Sequence, residues 1–354
     1  MRGGSPVKKS PAVHLLLYSL AHFLVDFLCA YMIFRKTRES TLFYTGLLLY
    51  NFCAFAVQMP LGILADRAKR CGLAAVWGCV ILLPALVLPM NTVLLTLTAG
   101  LGNALFHIGG GTAVLRENPG RHAEPGIFVS TGALGLWLGT LAGKSASFPA
   151  WLPVLAVTVM MFLLLPAALS PVEQIPALPD SDDHSNDPVR NAGPFLTPFL
   201  CLMLVVALRS WLGLILQFDW KALPLPGFLL IAAVAAGKAL GGLLADRFGS
   251  WKTVLCSLTV SGILFFFSGH PLPGIAAVLL FNMTMPLTLT ALAQMLPGQP
   301  GFSFGLLTFS LFLGFIPVWL ALTPSGFRPV LYGLLAFLSL GLMAVAWKKR
   351  RWLS

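Results

Sequence analysis

Five Asp, His, Arg or Lys side chains lie well inside long apolar stretches of this sequence, where a charge is costly unless it faces a cavity or a partner. They are His22, Asp26, His107, Arg209 and Lys238. His22 and Asp26 are four residues apart, so a helix would present both on one face. Asn103 and His107 repeat that spacing in a later apolar stretch. A carboxylate beside imidazoles can bind and release a proton, and a guanidinium can hold an anionic group.

We interpret Asp26 as a proton carrier or the partner of a cation, with His22 and His107 tuning or relaying the proton. Arg209 is interpreted as the ligand of an anionic group. The competing hypothesis is that His and Asn side chains hydrogen-bond packed helices together. This hypothesis does not account for Asp26 or Arg209, because a single charge in lipid is too costly in free energy to be kept for helix packing alone.

Two further polar residues are weaker candidates. Asn282 lies in an apolar stretch, as does Asn51, and helix packing explains both better than binding does. Asn282 is kept as a weak candidate for the same polar site. Lys238 follows a run of alanines, and its role stays open because its long side chain could also extend to the membrane surface.

The composition indicates which elements must position these side chains. Hydrophobic residues make up 57% of the 354 positions and charged residues only 10%, with a mean hydropathy of +0.86. Soluble domains carry about 25% charged residues. The composition therefore excludes a water-soluble globule, a disordered chain and a basic nucleic-acid-binding domain, despite a net charge of +11. We predict an all-α, polytopic membrane protein.

Apolar runs bounded by charge, Pro or Gly predict twelve transmembrane helices, at about 20 residues for each crossing. They cover residues 12–34, 41–64, 72–90, 92–114, 125–143, 150–170, 194–218, 227–244, 253–269, 272–291, 303–322 and 328–347. The acidic segment 171–193 has the Pro, Asp and Ser content of a flexible linker. We therefore predict an N-terminal six-helix bundle in residues 1–170, a cytosolic linker in 171–193 and a C-terminal bundle in 194–354.

The distribution of basic residues predicts the orientation of these helices. With both termini in the cytosol, 15 of the 23 Lys and Arg residues fall on the cytosolic side and six on the outer side. This agrees with the positive-inside rule, to which the outer cluster of Arg35, Lys36 and Arg38 is a local exception. We expect a multi-pass protein of a bacterial inner (plasma) membrane, surrounded by lipid.

A six-residue segment occurs twice, at equivalent places in the two predicted bundles. Residues 62–67 read Gly-Ile-Leu-Ala-Asp-Arg, and residues 242–247 read Gly-Leu-Leu-Ala-Asp-Arg. Such a repeat indicates internal duplication. A carboxylate at the membrane edge can cap a neighbouring helix N-terminus and pair with a loop arginine. We interpret both copies as a gate that latches one conformation; its residues are Gly62, Asp66, Arg67, Gly242, Asp246 and Arg247.

The repeat resembles the cytoplasmic loop motif of the major facilitator superfamily, and the second copy continues with Gly249 and Lys252 as that motif does. The resemblance implies twelve transmembrane helices in two six-helix bundles. It also implies that spans one, four, seven and ten line a central cavity. Shorter stretches, at residues 19–26, 102–107 and 293–298, resemble the fosmidomycin-resistance branch. Two positions depart from exporter patterns: Ile108 follows His107 in place of Pro-Glu, and Thr140 replaces a proline in span five.

We expect a secondary transporter that works by alternating access, coupled to protons through Asp26 with His22 or His107. Resemblance to the branch favours export of a small drug-like or anionic compound, whereas the two departures argue against proton-antiport drug export. The missing Pro and Glu favour a proton-coupled importer or an altered coupling. A membrane enzyme acting on lipid and a non-transporting receptor or scaffold are alternatives of other classes. The six cysteines lack metal-ligand spacing and no phosphate-binding loop occurs, so we expect no enzymatic activity, cofactor, metal or nucleic-acid partner. A monomer is expected.

Overall fold

Twelve helices, α1 to α12, form the structure, which is a computed structural model describing residues 11–170, 188–322, 326 and 328–349. In chain order they are Pro11–Lys36, Phe43–Arg67, Leu73–Val87, Thr92–Glu117, Ala123–Lys144, Trp151–Leu169, Pro188–Ile215, Pro224–Phe248, Ser250–Phe266, Pro271–Met295, Pro300–Trp319 and Arg328–Lys348. Ten are long and apolar enough to cross a membrane, and α3 and α9 are shorter apolar helices. All twelve predicted spans are thus found as helices.

The helix bounds follow local signals in the sequence. Pro224, Pro271 and Pro300 begin α8, α10 and α11, since proline fits the first turn, where its missing N–H group is not needed. Helix α7 begins at Pro188, inside the predicted linker, and residues 171–187 of that linker lie outside the described residues. Helix α2 contains a π-helical turn at Phe52–Ala56, and α10 is interrupted at Met283.

Helix α5 packs closely along α1 because glycines face the contact. A Cβ atom at Gly135 or Gly139 would overlap the carbonyl oxygen of Phe23 or Phe27 on α1. The spacing of Gly132, Gly135, Gly139 and Gly143 in the sequence is typical of close helix packing, and Gly135 and Gly139 serve it here. Across the two halves of the chain, α2 contacts α11 and α5 contacts α8. Helix α4 also contacts α11, so α2, α4 and α5 lie next to helices of the second half.

Two basic residues of the cluster predicted to break the positive-inside rule, Arg35 and Lys36, bind the ends of neighbouring helices. Arg35 donates to the carbonyl oxygens of Ser145 and Ala146 at the end of α5, at 2.8 and 3.3 Å. Lys36 Nζ donates to the carbonyl oxygens of Ala85 and Leu86 in the last turn of α3, at 2.7 and 2.8 Å. Cations at helix C-termini satisfy unpaired carbonyls and oppose the helix dipole. Both side chains are therefore bound to helix ends.

Candidate functional site

The two residue pairs with i, i+4 spacing, His22 with Asp26 on α1 and Asn103 with His107 on α4, meet in one cluster. Asn103 Nδ2 on α4 donates to Asp26 Oδ1 on α1 at 3.0 Å. His22 Nε2 lies 3.3 Å from Asp26 Oδ2, and His107 Nε2 lies 3.6 Å from Asp26 Oδ1. The two imidazole Nε2 atoms are 2.9 Å apart. His22, Asn103 and His107 are buried, and Asp26 is partly buried.

Helix α5 completes this cluster from its backbone. The carbonyl oxygen of Phe128 accepts from His22 Nδ1 at 2.7 Å. A Cβ atom at Gly132 would overlap both Asp26 Oδ2 and His22 Nε2. Gly132 is therefore required for the cluster itself, whereas the sequence suggested only packing. In the sequence, Gly132 is one of several regularly spaced glycines of α5, and this spacing gives no reason to single it out.

Arg209 on α7 lies in the second half of the chain and is 6% exposed. Its Nη1 donates to Thr284 Oγ1 at 3.2 Å, and its Nη2 donates to Thr288 Oγ1 at 3.4 Å, both on α10. No carboxylate among the described residues forms an ion pair with it. A buried guanidinium held by hydroxyl groups alone keeps its charge available for an anion.

Lys238 on α8 faces the interior, which answers the question that its sequence position left open. Its Nζ donates to the carbonyl oxygen of Val129 on α5 at 3.2 Å. It interacts electrostatically with both Asp26 and Arg209. The residue next to its acceptor, Phe128, is the acceptor of His22. Lys238 thus contacts the same turn of α5 as the carboxylate–histidine cluster does.

A cavity of about 240 Å³ lies beside Arg209. Its polar lining residues are Arg209, Lys221 and Asn282, and the remainder is aliphatic or aromatic, from α5, α7, α8, α9 and α10. The Asn282 amide donates to the carbonyl oxygen of Val278 in its own helix at 2.8 Å. A larger groove of about 530 Å³ between α2, α3 and α4 contains none of the ionisable residues of the spans. The smaller cavity is the candidate for a ligand with an anionic group and an apolar body.

The first copy of the repeated segment caps a helix of the other half. Asp66 at the end of α2 accepts from the backbone N–H groups of Gly301 and Phe302, the first turn of α11, at 2.7 and 2.8 Å. A Cβ atom at Gly62 would overlap the carbonyl group of Gly301, so this approach requires glycine. The contact matches the predicted capping of a neighbouring helix N-terminus by a carboxylate.

The second copy forms the equivalent contact with the two halves exchanged: its carboxylate comes from the second half and caps a helix of the first half. Asp246 at the end of α8 accepts from the backbone N–H groups of His122 and Ala123 at the start of α5, both at 2.9 Å. The ring of His122 also donates to Asp246, from Nδ1 at 2.8 Å. A Cβ atom at Gly242 would overlap the carbonyl group of His122. Each half therefore contributes one carboxylate and one capped helix.

Asp66 pairs with an arginine, but that arginine lies outside the repeat. Arg67 and Arg247 are exposed, and within the described ranges neither forms an ion pair with a carboxylate. Arg116 at the end of α4 lies 3.6 Å from Asp66 and also donates to the carbonyl oxygens of Asp66 and Ala68, each at 2.8 Å. Sequence reasoning missed Arg116 because nothing near it in the chain repeats.

Comparisons with known proteins support the architecture. The chain matches no protein-family model, and no curated protein matches it by sequence. Its structure is similar to that of the E. coli fucose:proton symporter FucP, at 14% identity and a TM-score of 0.64, covering 96% of this chain and 99% of that one. A structure of FucP in the outward conformation is similar at 13% identity and a TM-score of 0.64, covering 95% of this chain and 99% of that one.

The human organic anion transporter MFSD10 (TETRAN) is similar at 16% identity and a TM-score of 0.63, covering 96% of this chain and 100% of that one. Because these identities are low, the similarity shows the fold. The chain has the twelve-helix fold of the major facilitator superfamily. Resemblance to the fosmidomycin-resistance branch stays a prediction.

Proposed function

We propose that this chain is a secondary active transporter that carries a small organic anion together with protons by alternating access. The observation that carries the proposal is the buried Arg209, which has two threonine hydroxyls but no carboxylate partner among the described residues. A proton-binding cluster of Asp26, His22, Asn103 and His107 lies apart from it, in the other half of the chain. Asn282 borders the same cavity as Arg209.

The substrate class follows from the lining of the cavity. A carboxylate or a similar anionic group would pair with Arg209, while the apolar walls would contact the remainder of the molecule. Because no acidic residue lines this cavity, a cationic substrate is disfavoured. The name of MFSD10 as an organic anion transporter agrees with this class.

The separation of the two sites favours symport over antiport. An anion near Arg209 and a proton at the Asp26 cluster have opposite charges and different ligands, so the binding of one favours the binding of the other. Lys238 interacts electrostatically with both sites and extends this coupling across the two halves. Antiport requires that the two ligands exclude each other. The geometry therefore favours proton-coupled symport, and with it import, over the export suggested by branch resemblance; FucP is likewise named as a fucose:proton symporter.

The two repeated segments act as the gate in this proposal. The halves formed by residues 1–170 and 194–354 would rock about the cavity, with the contacts of Asp66 and Asp246 holding one end closed. Under the predicted topology, with both termini cytosolic in a bacterial inner membrane, the closed end is cytosolic. The structure would then represent an outward-facing state, with Lys221 towards the outer end of the cavity.

The proposal is tested by a binding screen followed by transport. Purified protein is heated with carboxylates, phosphonates and sulfonates and with neutral sugars such as fucose, since binding to the folded state raises Tm. Compounds that raise Tm are then assayed for uptake into proteoliposomes with and without an imposed pH gradient. We expect anions to bind and to accumulate only with the gradient. Binding without any transport would instead support a receptor or scaffold.

Removal of one gate carboxylate is expected to slow transport and spare affinity. In Asp246→Asn, the start of α5 loses a charged cap, so the closed state loses about 0.3–2 kcal/mol. We expect a several-fold lower maximal rate and an apparent Kd within about twofold of the original, since the anion cavity is untouched. Glu124→Gln, near the start of the same helix but paired with Arg121, is the matched control. A large loss of affinity in Asp246→Asn would instead place this residue in the binding site.

A methyl group at the helix crossing is expected to open the same end. In Gly62→Ala the new Cβ would overlap the carbonyl group of Gly301, so α2 and α11 must separate. Spin labels at Pro119 and Pro297, exposed positions whose loops border one cavity, should report a longer distance. Gly341→Ala in α12, where a Cβ meets nothing within 4 Å, should leave the distance unchanged. An unchanged distance in Gly62→Ala would contradict the gate.

A further inference from the structure

The proton-binding state of the histidine pair follows from which ring nitrogens must be donors. The carbonyl oxygens of Phe128 and Asn103 can only accept hydrogen bonds. His22 Nδ1 lies 2.7 Å from the first, and His107 Nδ1 lies 2.9 Å from the second. Both rings therefore carry a hydrogen on Nδ1. A neutral imidazole has one N–H group, so each neutral ring would leave Nε2 as a bare acceptor.

These two Nε2 atoms face each other at 2.9 Å. Two bare acceptors repel at that separation, whereas a hydrogen bond from nitrogen to nitrogen has this length. One additional proton between the rings resolves the conflict, because one Nε2 then donates to the other. Placing the additional proton on Asp26 does not help, since the two acceptors would still face each other.

The surroundings supply the counter-charge for such a proton. Asp26 Oδ2 lies 3.3 Å from His22 Nε2, and Asp26 Oδ1 accepts from the Asn103 amide at 3.0 Å. An amide donor on Oδ1 and a charged ring near Oδ2 both favour the ionised carboxylate. The other titratable groups that interact electrostatically with the cluster are Cys29 on α1, Tyr50 on α2 and Lys238 on α8.

We infer that the coupling proton is held between Nε2 of His22 and Nε2 of His107, with Asp26 remaining ionised as its counter-charge. This inference rests on the proposed function for the role of the proton, and on the hydrogen-bond geometry for its position. Loss of the proton leaves two neutral rings whose Nε2 atoms repel, so α1 and α4 would shift apart at this point. The protonated and deprotonated pairs thus favour different packing of α1 against α4. Coupling of proton binding to a rocking motion requires such a difference.

The inference is tested by nuclear magnetic resonance of protein labelled with ¹⁵N-histidine and reconstituted in lipid nanodiscs after treatment with a chelator. At pH 7 we expect a nitrogen–nitrogen coupling across a hydrogen bond between two imidazoles. It should be lost in His107→Gln and retained in His270→Gln, whose histidine is exposed. In Asp26→Asn the signal should be lost at pH 7, because no carboxylate then balances the charge.

Three results would overturn the inference. Two neutral rings in the unmodified protein would leave no proton between them, and a signal that persists in Asp26→Asn would remove the carboxylate from its role. His22, Asp26 and His107 also place ligand atoms within 4.8 Å of one another. A stoichiometric Zn²⁺ or Co²⁺ ion that abolishes the coupling at low micromolar concentration would assign this position to a metal.

A second measurement does not depend on resolving the signal. Titration of the solubilised protein with a pH indicator dye should show one proton fewer bound at pH 7 in His107→Gln than in the unmodified protein or in His270→Gln. Equal proton counts would overturn the inference. Neither experiment involves a substrate, so both separate the position of the proton from the transport proposal. Transport that ignores an imposed pH gradient would contradict that proposal even with a proton between the rings.

Discussion

Asp26→Asn should abolish accumulation driven by a pH gradient while downhill exchange of the same anion stays measurable. The amide is close in size to the carboxylate but carries no charge, so it cannot balance a proton on the His22–His107 pair. A transporter that no longer binds the proton can still change conformation with the anion alone, so it equilibrates its substrate without concentrating it. We expect the accumulation ratio to fall to one. The assay is uptake into proteoliposomes with an imposed gradient of pH.

Glu39→Gln is the matched control for this substitution. Glu39 is also a carboxylate of the first half, but its side chain is 88% exposed and, within the described part of the chain, pairs only with the adjacent Arg38. Its removal should leave accumulation unchanged. Full accumulation by Asp26→Asn would show that the coupling proton, if one is used, binds elsewhere in the chain. Loss of downhill exchange as well would indicate damage to folding, which the Tm of the purified variant would detect.

Arg209→Ala should raise the apparent KM for the anionic substrate by about tenfold to 100-fold. Hydrogen bonds to charged groups contribute about 1.5–3 kcal/mol, and about 1.4 kcal/mol corresponds to each tenfold change. The loss should be much smaller for a neutral analogue of the same substrate. Initial uptake rates measured over a range of concentrations give KM and the maximal rate separately.

One further variant separates the charge of Arg209 from its shape, and a second variant serves as a control. Arg209→Lys keeps the charge but not the two nitrogens that donate to Thr284 and Thr288, so we expect an intermediate KM. Arg38→Ala removes a half-exposed arginine outside the cavity and should leave KM unchanged. Equal loss for the anion and its neutral analogue in Arg209→Ala would mean that this residue organises α7 and α10 without contacting substrate.

Much of this architecture could be predicted from the sequence because hydrocarbon leaves few alternatives to helices. The twelve apolar runs became helices, and spacing of four residues placed His22 with Asp26 and Asn103 with His107. The repeat predicted both capping carboxylates because each copy retains its Asp at the same place. These features share one property: a pattern within a short segment determines them.

The features that the sequence did not reveal depend on contacts between distant segments. Gly132 matters for the cluster because α1 passes it, and no property of α5 alone distinguishes it from Gly135 or Gly139. Arg116, which lies outside the repeat, is the partner of Asp66 because α4 ends beside α2. The Lys238 side chain likewise points into the protein because α5 supplies its hydrogen-bond acceptor, the carbonyl oxygen of Val129. Such positions require the tertiary arrangement of the helices.

In the proposed gate, the reciprocal helix caps made by Asp66 and Asp246 would set how long the protein stays in its closed state. Each carboxylate at a helix N-terminus contributes about 0.3–2 kcal/mol, so the pair together biases the conformational equilibrium by roughly 3-fold to 1,000-fold. A single charged ligand can supply a bias of that size. Binding of substrate and proton could therefore shift the population from one conformational state to the other. Transport by such a protein should reverse its direction when the substrate and proton gradients are inverted.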